Sequence, residues 1–491
     1  MDTYEPPLFE LSAPGRIGVN LPETEVPETP LPADLLRADD LVGMPELSET
    51  EVIRHFTRIS QRNFCIDTVM YPLGSCTMKY NPKIHEEVAR LPGFAAAHPL
   101  QDETLSQGAL QLMEELQTYL GEISGFAAVS LQPAAGAQGE LTGILTFRAY
   151  HLSRGDTERA EILVPDSAHG TNPATAAMVG YRVVEVKGDA RGNVDIEDLR
   201  SKLSPRTAGL MLTNPNTLGV FEEHVHEVAR LVHEAGGLMY GDGANFNAIL
   251  GIARPGDLGF DFMHYNLHKT FTTPHGGGGP GSGAVGCTTA LAPFLPGPRV
   301  RKTDASYELF TPAQSIGRMK VFHGNFGMLV RAWTYIRTLG AKGLREVSEI
   351  AVLNANYLQV KLGEIYPQAV DRISMHETLL KGQIAGAPGI RTLDIAKRLI
   401  DFGIHPPTIY FPLIVPEALL IEPTETESKR NLDAFVAAMR TIATEAREQP
   451  ETLHQAPTTT PVRRLDEVRA ARQPVLKYDA AAFARIRAAH Q

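Results

Sequence analysis

Cysteine, basic charge and long apolar runs are all scarce in this sequence, and each shortage excludes a class of protein. The three cysteines, Cys65, Cys76 and Cys287, leave at least one unpaired, so we expect no disulfide framework and favour a reducing, cytoplasmic location. A net charge of −11 supplies no basic field for nucleic acid. No stretch of about 18 apolar residues is present to span a bilayer, and the acidic, proline-rich start does not match a secretory signal.

The length of the chain, 491 residues, indicates two or three domains rather than one compact core. Prolines spread over the first 32 residues exclude long helices there and predict an extended arm. We expect an N-terminal arm and loop-rich segment over 1–100, a large domain over 101–330, and a smaller α+β domain with a C-terminal extension over 331–491.

Short apolar runs alternate with amphipathic helical patterns through the expected large domain. Ile162–Pro165, Ala208–Thr213 and Leu238–Tyr240 are continuous apolar runs of strand length, and helical periodicity fills the intervals between such runs. This alternation is typical of an α/β fold whose mostly parallel sheet is covered on both faces. Ligands of such sheets bind at the carboxyl ends of the strands, so polar residues that follow strands are candidate site residues.

Lys269 is the central candidate, in a segment that places hydroxyl residues and then a glycine run after it. A lysine that forms a Schiff base needs a desolvated site with polarising neighbours, although a lone lysine is more often a surface residue. Asp242 ends an earlier strand, where pyridoxal-phosphate enzymes place the carboxylate that keeps the cofactor's ring nitrogen protonated. The simpler alternative for Asp242 is an Asp-Gly turn.

A phosphate-binding turn is predicted where a strand passes into a helix over 132–140. Small residues there allow a phosphate to approach the exposed N–H groups of a helix N-terminus. We assign Ala135, Gly136 and Ala137 to this cradle, with Gln138 as a further candidate. The alternative is a tight strand-to-helix turn that binds nothing.

Two more polar segments follow strands. His169 could lie over a cofactor ring, or it could be a hydrogen-bonded structural histidine. Thr213 or Asn214 could contact the phenolic oxygen of the cofactor, or the segment could form an Asx turn. Each signal is weak alone, but cradle, ring stacker, oxygen contact, acid and lysine occur in the chain order of the aspartate-aminotransferase fold.

Competing motifs are poorer matches. The run Gly276–Gly283 fits G-x-G-x-x-G only formally, because it contains Pro280 and opens no helix after an obvious strand. His224, His226 and His233 lack metalloprotease spacing, so we interpret them as the solvent face of a helix, and we predict no metal site.

With these residues in view, the chain resembles the glycine dehydrogenase (decarboxylating) family, the P-protein of the glycine cleavage system, in its two-subunit form. The motifs that carry the resemblance are Tyr71–Tyr80, Ser167–Ala174, Asn266–Thr270 with the glycine run, and Ile421–Glu427. They span nearly the whole chain, and they correspond to the second of the two subunits, the C-terminal half of the single-chain form.

The resemblance implies a fold type I pyridoxal-phosphate (PLP) enzyme, an aminomethyl-transferring oxidoreductase that releases CO2 from glycine and passes the aminomethyl group to the lipoyl arm of H-protein. It implies Lys269, His169 and Asp242 as catalytic residues, and a homologous subunit 1 in an α2β2 heterotetramer. Ala244 and His268 join the predicted cofactor-binding residues. The stretch Ser75–Met78 and the pair His323 and Asn325 are hypotheses for the pocket lining or the lipoyl channel.

Two alternatives stay open. The chain could be another PLP-dependent decarboxylase or aminotransferase that acts alone on a small amino acid. It could also be a non-catalytic scaffold subunit, although the presence of Lys269, Asp242 and the phosphate turn argues against a scaffold.

Overall fold

The computed structural model describes residues 5–27, 29–37, 44–275 and 281–490. The helices are, in chain order, α1 (Leu8–Leu11), α2 (Glu49–Ser60), α3 (Lys83–Ala89), α4 (Pro92–Ala95), α5 (Gln107–Ser124), α6 (Gly136–Ser153), α7 (Thr171–Val179), α8 (Ile196–Lys202), α9 (Val225–Glu234), α10 (Leu267–Thr270), α11 (Phe326–Leu362), α12 (Thr392–Asp401), α13 (Lys429–Glu448), α14 (Pro450–Gln455), α15 (Glu467–Arg472) and α16 (Ala480–His490).

The strands are β1 (Ala128–Ser130), β2 (Glu161–Pro165), β3 (Arg182–Val186), β4 (Thr207–Thr213), β5 (Leu238–Gly243), β6 (Phe262–Asn266), β7 (Gly283–Cys287), β8 (Arg299–Lys302), β9 (Tyr307–Phe310), β10 (Thr378–Lys381), β11 (Thr408–Ile409) and β12 (Ala418–Ile421). Among the described residues, no helix has the length and apolar composition needed to cross a membrane.

The large sheet has seven strands in the order β1-β7-β6-β5-β4-β2-β3. The pairs from β3 through β2, β4 and β5 to β6 are parallel, and β7 is antiparallel to both β1 and β6. This arrangement confirms the predicted α/β class and the mostly parallel sheet.

Apart from the edge strand β3, the strands of this sheet are buried on both faces, and successive side chains of a strand enter opposite cores. On β4, Leu210 and Leu212 belong to one apolar cluster, and Met211 between them belongs to the other. Helix α6 supplies Ile144 and Phe147 to the second cluster. Burial on both sides is why these strands lack the alternating polar pattern of a one-sided sheet.

Strand β7 has no counterpart in the sequence-based expectations. Its glycines weaken the strand pattern, yet a side chain at Gly286 would overlap the Tyr265 hydroxyl and lie 2.9 Å from the Phe126 ring. Close packing of neighbouring aromatic side chains therefore decides the residue here, against local strand propensity.

A second, three-stranded antiparallel sheet has the order β10-β12-β11 and packs with the C-terminal part of α11 and with α12 and α13. Two helices are predicted over 327–340 and 343–364, and α11 is indeed interrupted at Gly340, whose φ of 60° is not helical. Strand β12, the last of the three in chain order, begins at Ala418 and ends at Ile421, so Glu422 follows it directly.

The chain groups into two compact units, residues 1–65 with 456–491, and residues 66–455. In the first unit, Ser48 caps α2 through a capping box with Glu51, and Phe9 stacks on Tyr478. Among the residues of the expected arm that the structure describes, the short α1 and a 3-10 turn are the only helical elements before α2, as its prolines predict. The predicted division into three domains at residues 100 and 330 stays a prediction.

Candidate active site

Lys269 lies in the short helix α10, which begins where β6 ends. Its side chain is partly buried, and Nζ donates a hydrogen bond to the carbonyl oxygen of Ser75 at 2.7 Å. Ser75 is 194 residues earlier in the chain, so the lysine amine is held by a segment that no local pattern connects to it.

Asp242 lies in β5, beside β6, with its side chain almost fully buried. One oxygen accepts the N–H of Ala244 at 2.9 Å and lies 3.4 Å from Nε2 of His264, and the other accepts from Asn172 at 3.3 Å. Burial opposes ionisation, but His264, the Ala244 N–H, Lys269 and Asn172 outweigh it and lower the pKa of Asp242. Asp242 is therefore a buried carboxylate that stays charged.

The predicted phosphate cradle lies at the N-terminus of α6, directly after β1. Ala135 is the N-cap, and the first intrahelical bond runs from Gly139 N–H to its carbonyl, so the amides of Gly136 and Ala137 precede that bond. Such amides form an anion site, assisted by the helix dipole. The Gln138 side chain is used locally, since its Oε1 accepts the N–H of Ala134 at 2.6 Å.

His169 is exposed just before α7, with its ring 5.4 Å from that of Phe411. Nδ1 lies 2.9 Å from the Thr171 hydroxyl, which lies 2.8 Å from Oε1 of Glu140. Burial and the charge of Asp242 raise the pKa of Glu140 to about 8. Of these two coupled acids, Glu140 retains the proton, because its described partners are hydroxyls whereas Asp242 has a backbone N–H and a histidine.

Thr213 ends β4 and Asn214 follows it, and Thr213 lies in register with Asp242 on the next strand. Oδ1 of Asn214 accepts the N–H of Glu222 at 3.0 Å. Within the described residues, Thr213 Oγ1 and Asn214 Nδ2 are buried without a hydrogen-bond partner. Buried polar atoms of this kind are rare unless a water or ligand satisfies them.

His268 contacts the last part of the glycine run, where its Nδ1 lies 3.0 Å from the Ser282 carbonyl oxygen. Burial lowers the pKa of His268 to about 4, so the ring is neutral at physiological pH.

Of the glycine run, residues 276–280 lie outside the described residues. Asn325 does reach the cradle and donates to the carbonyl of Ala134 at 3.2 Å, while His323 contacts the Pro99 carbonyl oxygen at 2.9 Å.

The cysteines differ in environment. Cys76 is partly buried in the loop that meets Lys269, and burial raises its pKa. Cys287 is fully buried in β7, where burial raises its pKa to about 12, so its thiol is unreactive.

His226 and His233 are exposed on α9, as predicted.

Five side chains near the site received no role from the sequence: Glu140, Asn172, His264, Glu377 and Glu422. Glu140 stands one helical turn after Gly136, and this spacing from the cradle was the only local signal. Glu377 and Glu422 contact the Ser75–Thr77 loop across 302 and 345 residues, and no local pattern signals such a contact.

These residues fit bound PLP. A side chain at Gly136 would overlap Asn266, so glycine alone fits at the first position of α6 without a shift of Asn266. The unsatisfied atoms of Thr213 and Asn214 offer polar partners beside Asp242. The sheet order, the helix N-terminus after β1, the buried carboxylate on β5 and the lysine after β6 define a fold type I PLP-dependent enzyme.

Comparisons with known proteins agree with this class. Residues 145–297 match the class V aminotransferase family model, and residues 347–463 match the model of the glycine dehydrogenase C-terminal domain. A probable glycine dehydrogenase (decarboxylating) subunit 2 from Caldanaerobacter subterraneus is 57% identical over 480 residues, which cover 97% of this chain and 99% of the relative. One from Halalkalibacterium halodurans is 58% identical over 477 residues, covering 96% and 98%.

The chain therefore belongs to the glycine dehydrogenase (decarboxylating) subunit 2 family, as its motifs predict. Among solved structures, a glycine decarboxylase (P-protein) in inhibitor-bound form has a TM-score of 0.71 at 22% identity, over 84% of this chain and 93% of that chain. A cysteine desulfurase from Thermococcus onnurineus has a TM-score of 0.60 at 18% identity, over 77% and 95%. These two distant likenesses support the fold.

Proposed function

We propose that this chain binds PLP through Lys269 and decarboxylates glycine, passing the aminomethyl group to the lipoyl arm of H-protein. The convergence of Lys269, Asp242 and the N-terminus of α6 at the carboxyl ends of the parallel strands carries the proposal. The family name of its relatives supports glycine as the substrate.

Bound PLP supplies an electron sink for the electrons that the departing carboxylate leaves behind. Asp242 holds the pyridine nitrogen protonated, because it is a buried carboxylate that stays ionised. Ala135, Gly136 and Ala137 provide the phosphate cradle, in which small side chains let the anion reach the amides.

His169 would lie over one face of the bound ring, and the Thr171 hydroxyl lies between its Nδ1 and Oε1 of Glu140. Thr213, Asn214, Ala244 and His268 complete the polar surround of the cofactor. Ala244 contributes through its backbone N–H, which fixes Asp242.

The chain acts with a partner, since its relatives are named subunit 2. We propose that the partner is subunit 1, in an α2β2 assembly that lipoylated H-protein visits in the cytoplasm. Exposed apolar side chains in the first compact unit support a protein-covered surface, among them Ile17, Val19, Leu21 and Val26 at 69% exposure or more.

The test is an absorbance spectrum of the purified chain, alone and with subunit 1, before and after borohydride. Lys269→Ala should lose the visible cofactor band and the borohydride-trapped adduct. Lys302→Ala, a change at an exposed lysine of β8, should keep both. Glycine and lipoylated H-protein are then added to measure CO2 release.

Three outcomes separate the alternatives. Activity that requires both H-protein and subunit 1 supports the proposal. A band with amino-acid turnover in the absence of both partners would indicate a stand-alone PLP enzyme. Absence of a band in every preparation would leave the scaffold interpretation.

A further inference from the structure

A pair of buried glutamates lies at matching ends of β10 and β12. Glu377 precedes β10 and Glu422 follows β12, and the adjoining residues Thr378 and Ile421 are cross-strand partners. Both carboxyls are inaccessible to solvent. One oxygen of each and a ring nitrogen of His376 all lie within 4.8 Å of one another. Two carboxylates buried so closely cannot both ionise without a large electrostatic cost.

Each glutamate holds one amide of the loop that meets Lys269. Glu377 accepts the N–H of Ser75 at 2.7 Å, and Glu422 accepts the N–H of Thr77 at 3.0 Å. Ser75 and Thr77 have φ values of 64° and 40°, a left-handed conformation that is costly for residues with side chains. The two carboxyls stabilise this conformation, which directs the Ser75 carbonyl to the lysine amine.

Burial of the two carboxyls beside each other favours one shared proton on the pair. Burial and the neighbouring carboxyl raise the pKa of Glu377 well above its ordinary value, and burial raises the pKa of Glu422 to about 7. His376 stays neutral, because burial lowers its pKa to about 3. Within the described residues, the ionisable groups whose charges act on these three residues or on the same loop include Lys269, Lys79, Glu425 and Cys76. His275 hydrogen-bonds to the backbone of Cys76 and Thr77 in that loop and stays neutral, because burial lowers its pKa to about 3.

A metal ion is the competing occupant of this cluster. Both nitrogens of His376 and one oxygen of Glu422 are buried without hydrogen-bond partners within the part of the chain that the structure describes. The ammonium groups of Lys269 and Lys79 both act on the histidine, and they would repel a divalent ion as well. With one shared proton the glutamate pair keeps one negative charge, which Lys269 stabilises.

Building on the proposed function, we propose that Glu377 and Glu422 are positioning residues for Lys269. The pair shares one proton, holds the Ser75–Thr77 loop through two backbone amides, and presents one negative charge toward the lysine. With PLP held by Lys269 as proposed, the substrate amine would take the place of the lysine on the cofactor, and the lysine amine would be free until it took that place again. The fixed Ser75 carbonyl gives the released amine one defined location between these events.

The experiment measures acylation of Lys269 by acetic anhydride as a function of pH, in the cofactor-free full chain, by peptide mass spectrometry. The variants are Glu377→Gln, Glu422→Gln and the double substitution, since glutamine keeps an acceptor for each amide. Glu161→Gln is the matched control, because Glu161 is also buried. It pairs with Arg182 and Arg206 at the N-terminal end of β2, whereas Lys269 follows the C-terminal end of β6 in the same large sheet.

Each single variant should leave one ionised carboxylate, so labelling of Lys269 at fixed pH should change by less than about twofold. The double variant loses the charge, and labelling below the midpoint should rise roughly tenfold, the size expected for removing a close opposite charge. The Glu161→Gln control should label as the wild type does. Equal, additive effects of the two single variants, or no effect of the double variant, would overturn the proposal.

A second measurement covers failure of the double variant to fold. In the infrared spectrum at pH 7, either single variant should lack a protonated carboxyl band that the wild type has, and its carboxylate absorption should equal that of the wild type. Loss of carboxylate alone would overturn the shared proton. Stoichiometric divalent metal in the purified wild type that disappears in Glu422→Gln would overturn it in favour of a cation site.

These results are independent of the cofactor assay. If no cofactor band forms in the wild type, the proposed function fails, whatever the labelling shows. If the band forms and borohydride traps it on Lys269 while the labelling pattern is absent, only the positioning role fails.

Discussion

Replacement of Gly136 by alanine tests the phosphate cradle with a single methyl group. Gly136 is the first residue of α6, and an added Cβ would overlap Oδ1 of Asn266 and lie 3.1 Å from its Cγ. Asn266 ends β6, three residues before Lys269. The substitution should therefore displace the segment that positions the lysine, as well as alter the cradle.

Two effects of opposite sign determine the magnitude. Alanine is favoured over glycine in a helix by about 1 kcal/mol, while insertion of a methyl group into a packed site costs about 1–3 kcal/mol. We expect a net destabilisation of up to ~2 kcal/mol. Displacement of Asn266 should also weaken cofactor binding, and a loss of about 1.4 kcal/mol corresponds to a tenfold weaker Kd.

The assay is a PLP titration followed by absorbance, with the melting temperature of the cofactor-free chain as a second measure. Gly108→Ala is the matched control, because Gly108 lies in the first turn of α5 and an added Cβ meets nothing within 4 Å. The control should melt at the wild-type temperature or slightly above it, with unchanged Kd. A Gly136→Ala chain that binds PLP as tightly as wild type and melts no lower would refute the reasoning about the cradle.

Three further predictions concern buried or capped groups. Glu140 carries a pKa of about 8 in the folded chain against an ordinary value of 4.5, so it holds a proton that the unfolded chain has lost, and stability should fall as pH rises between these values. Glu140→Gln should remove this loss, on the order of 1.4 kcal/mol per pH unit at most, and equal melting-temperature differences from wild type at pH 5 and pH 9 would contradict it. Lys79→Met leaves Glu425 without its buried partner at 2.8 Å and should cost about 3–5 kcal/mol, measured by the shift of the thermal transition; a shift no larger than that of a surface lysine variant would contradict a buried pair. Ser48→Ala removes the cap of α2 and its capping box with Glu51 and should lower stability by about 1 kcal/mol, measured by amide hydrogen exchange in α2; unchanged protection would show that the cap contributes little.

Local patterns were sufficient for most of the large sheet. Buried parallel strands appear in the sequence as continuous apolar runs, and β2, β4 and β5 lie where those runs predicted them. Helix α6 likewise begins within the predicted turn. Strand β7 was not predicted, because the glycine that its packing against Tyr265 requires also weakens the strand pattern.

The candidate site was predictable where a residue follows a strand. Asp242, Lys269 and the turn at Gly136 share that local signature, and all three lie at the carboxyl edge of the sheet. Glu377 and Glu422 lack it, because they adjoin strands of the other sheet, and their hydrogen bonds to the Ser75–Thr77 loop span 302 and 345 residues.

The positions of the buried parallel strands, the polar residues at their ends and the family of the chain were therefore determined by the sequence itself, since short-range patterns and motifs carry that information. Only the tertiary structure decided which groups hold protons. Glu140 and Asp242 are both acidic residues in the sequence. The fold gives Asp242 a backbone N–H and a histidine as partners and gives Glu140 hydroxyl partners, so the pKa of Asp242 is lowered and that of Glu140 is raised. A pKa depends on burial and on neighbours brought together from distant parts of the chain, and these exist only once the chain has folded.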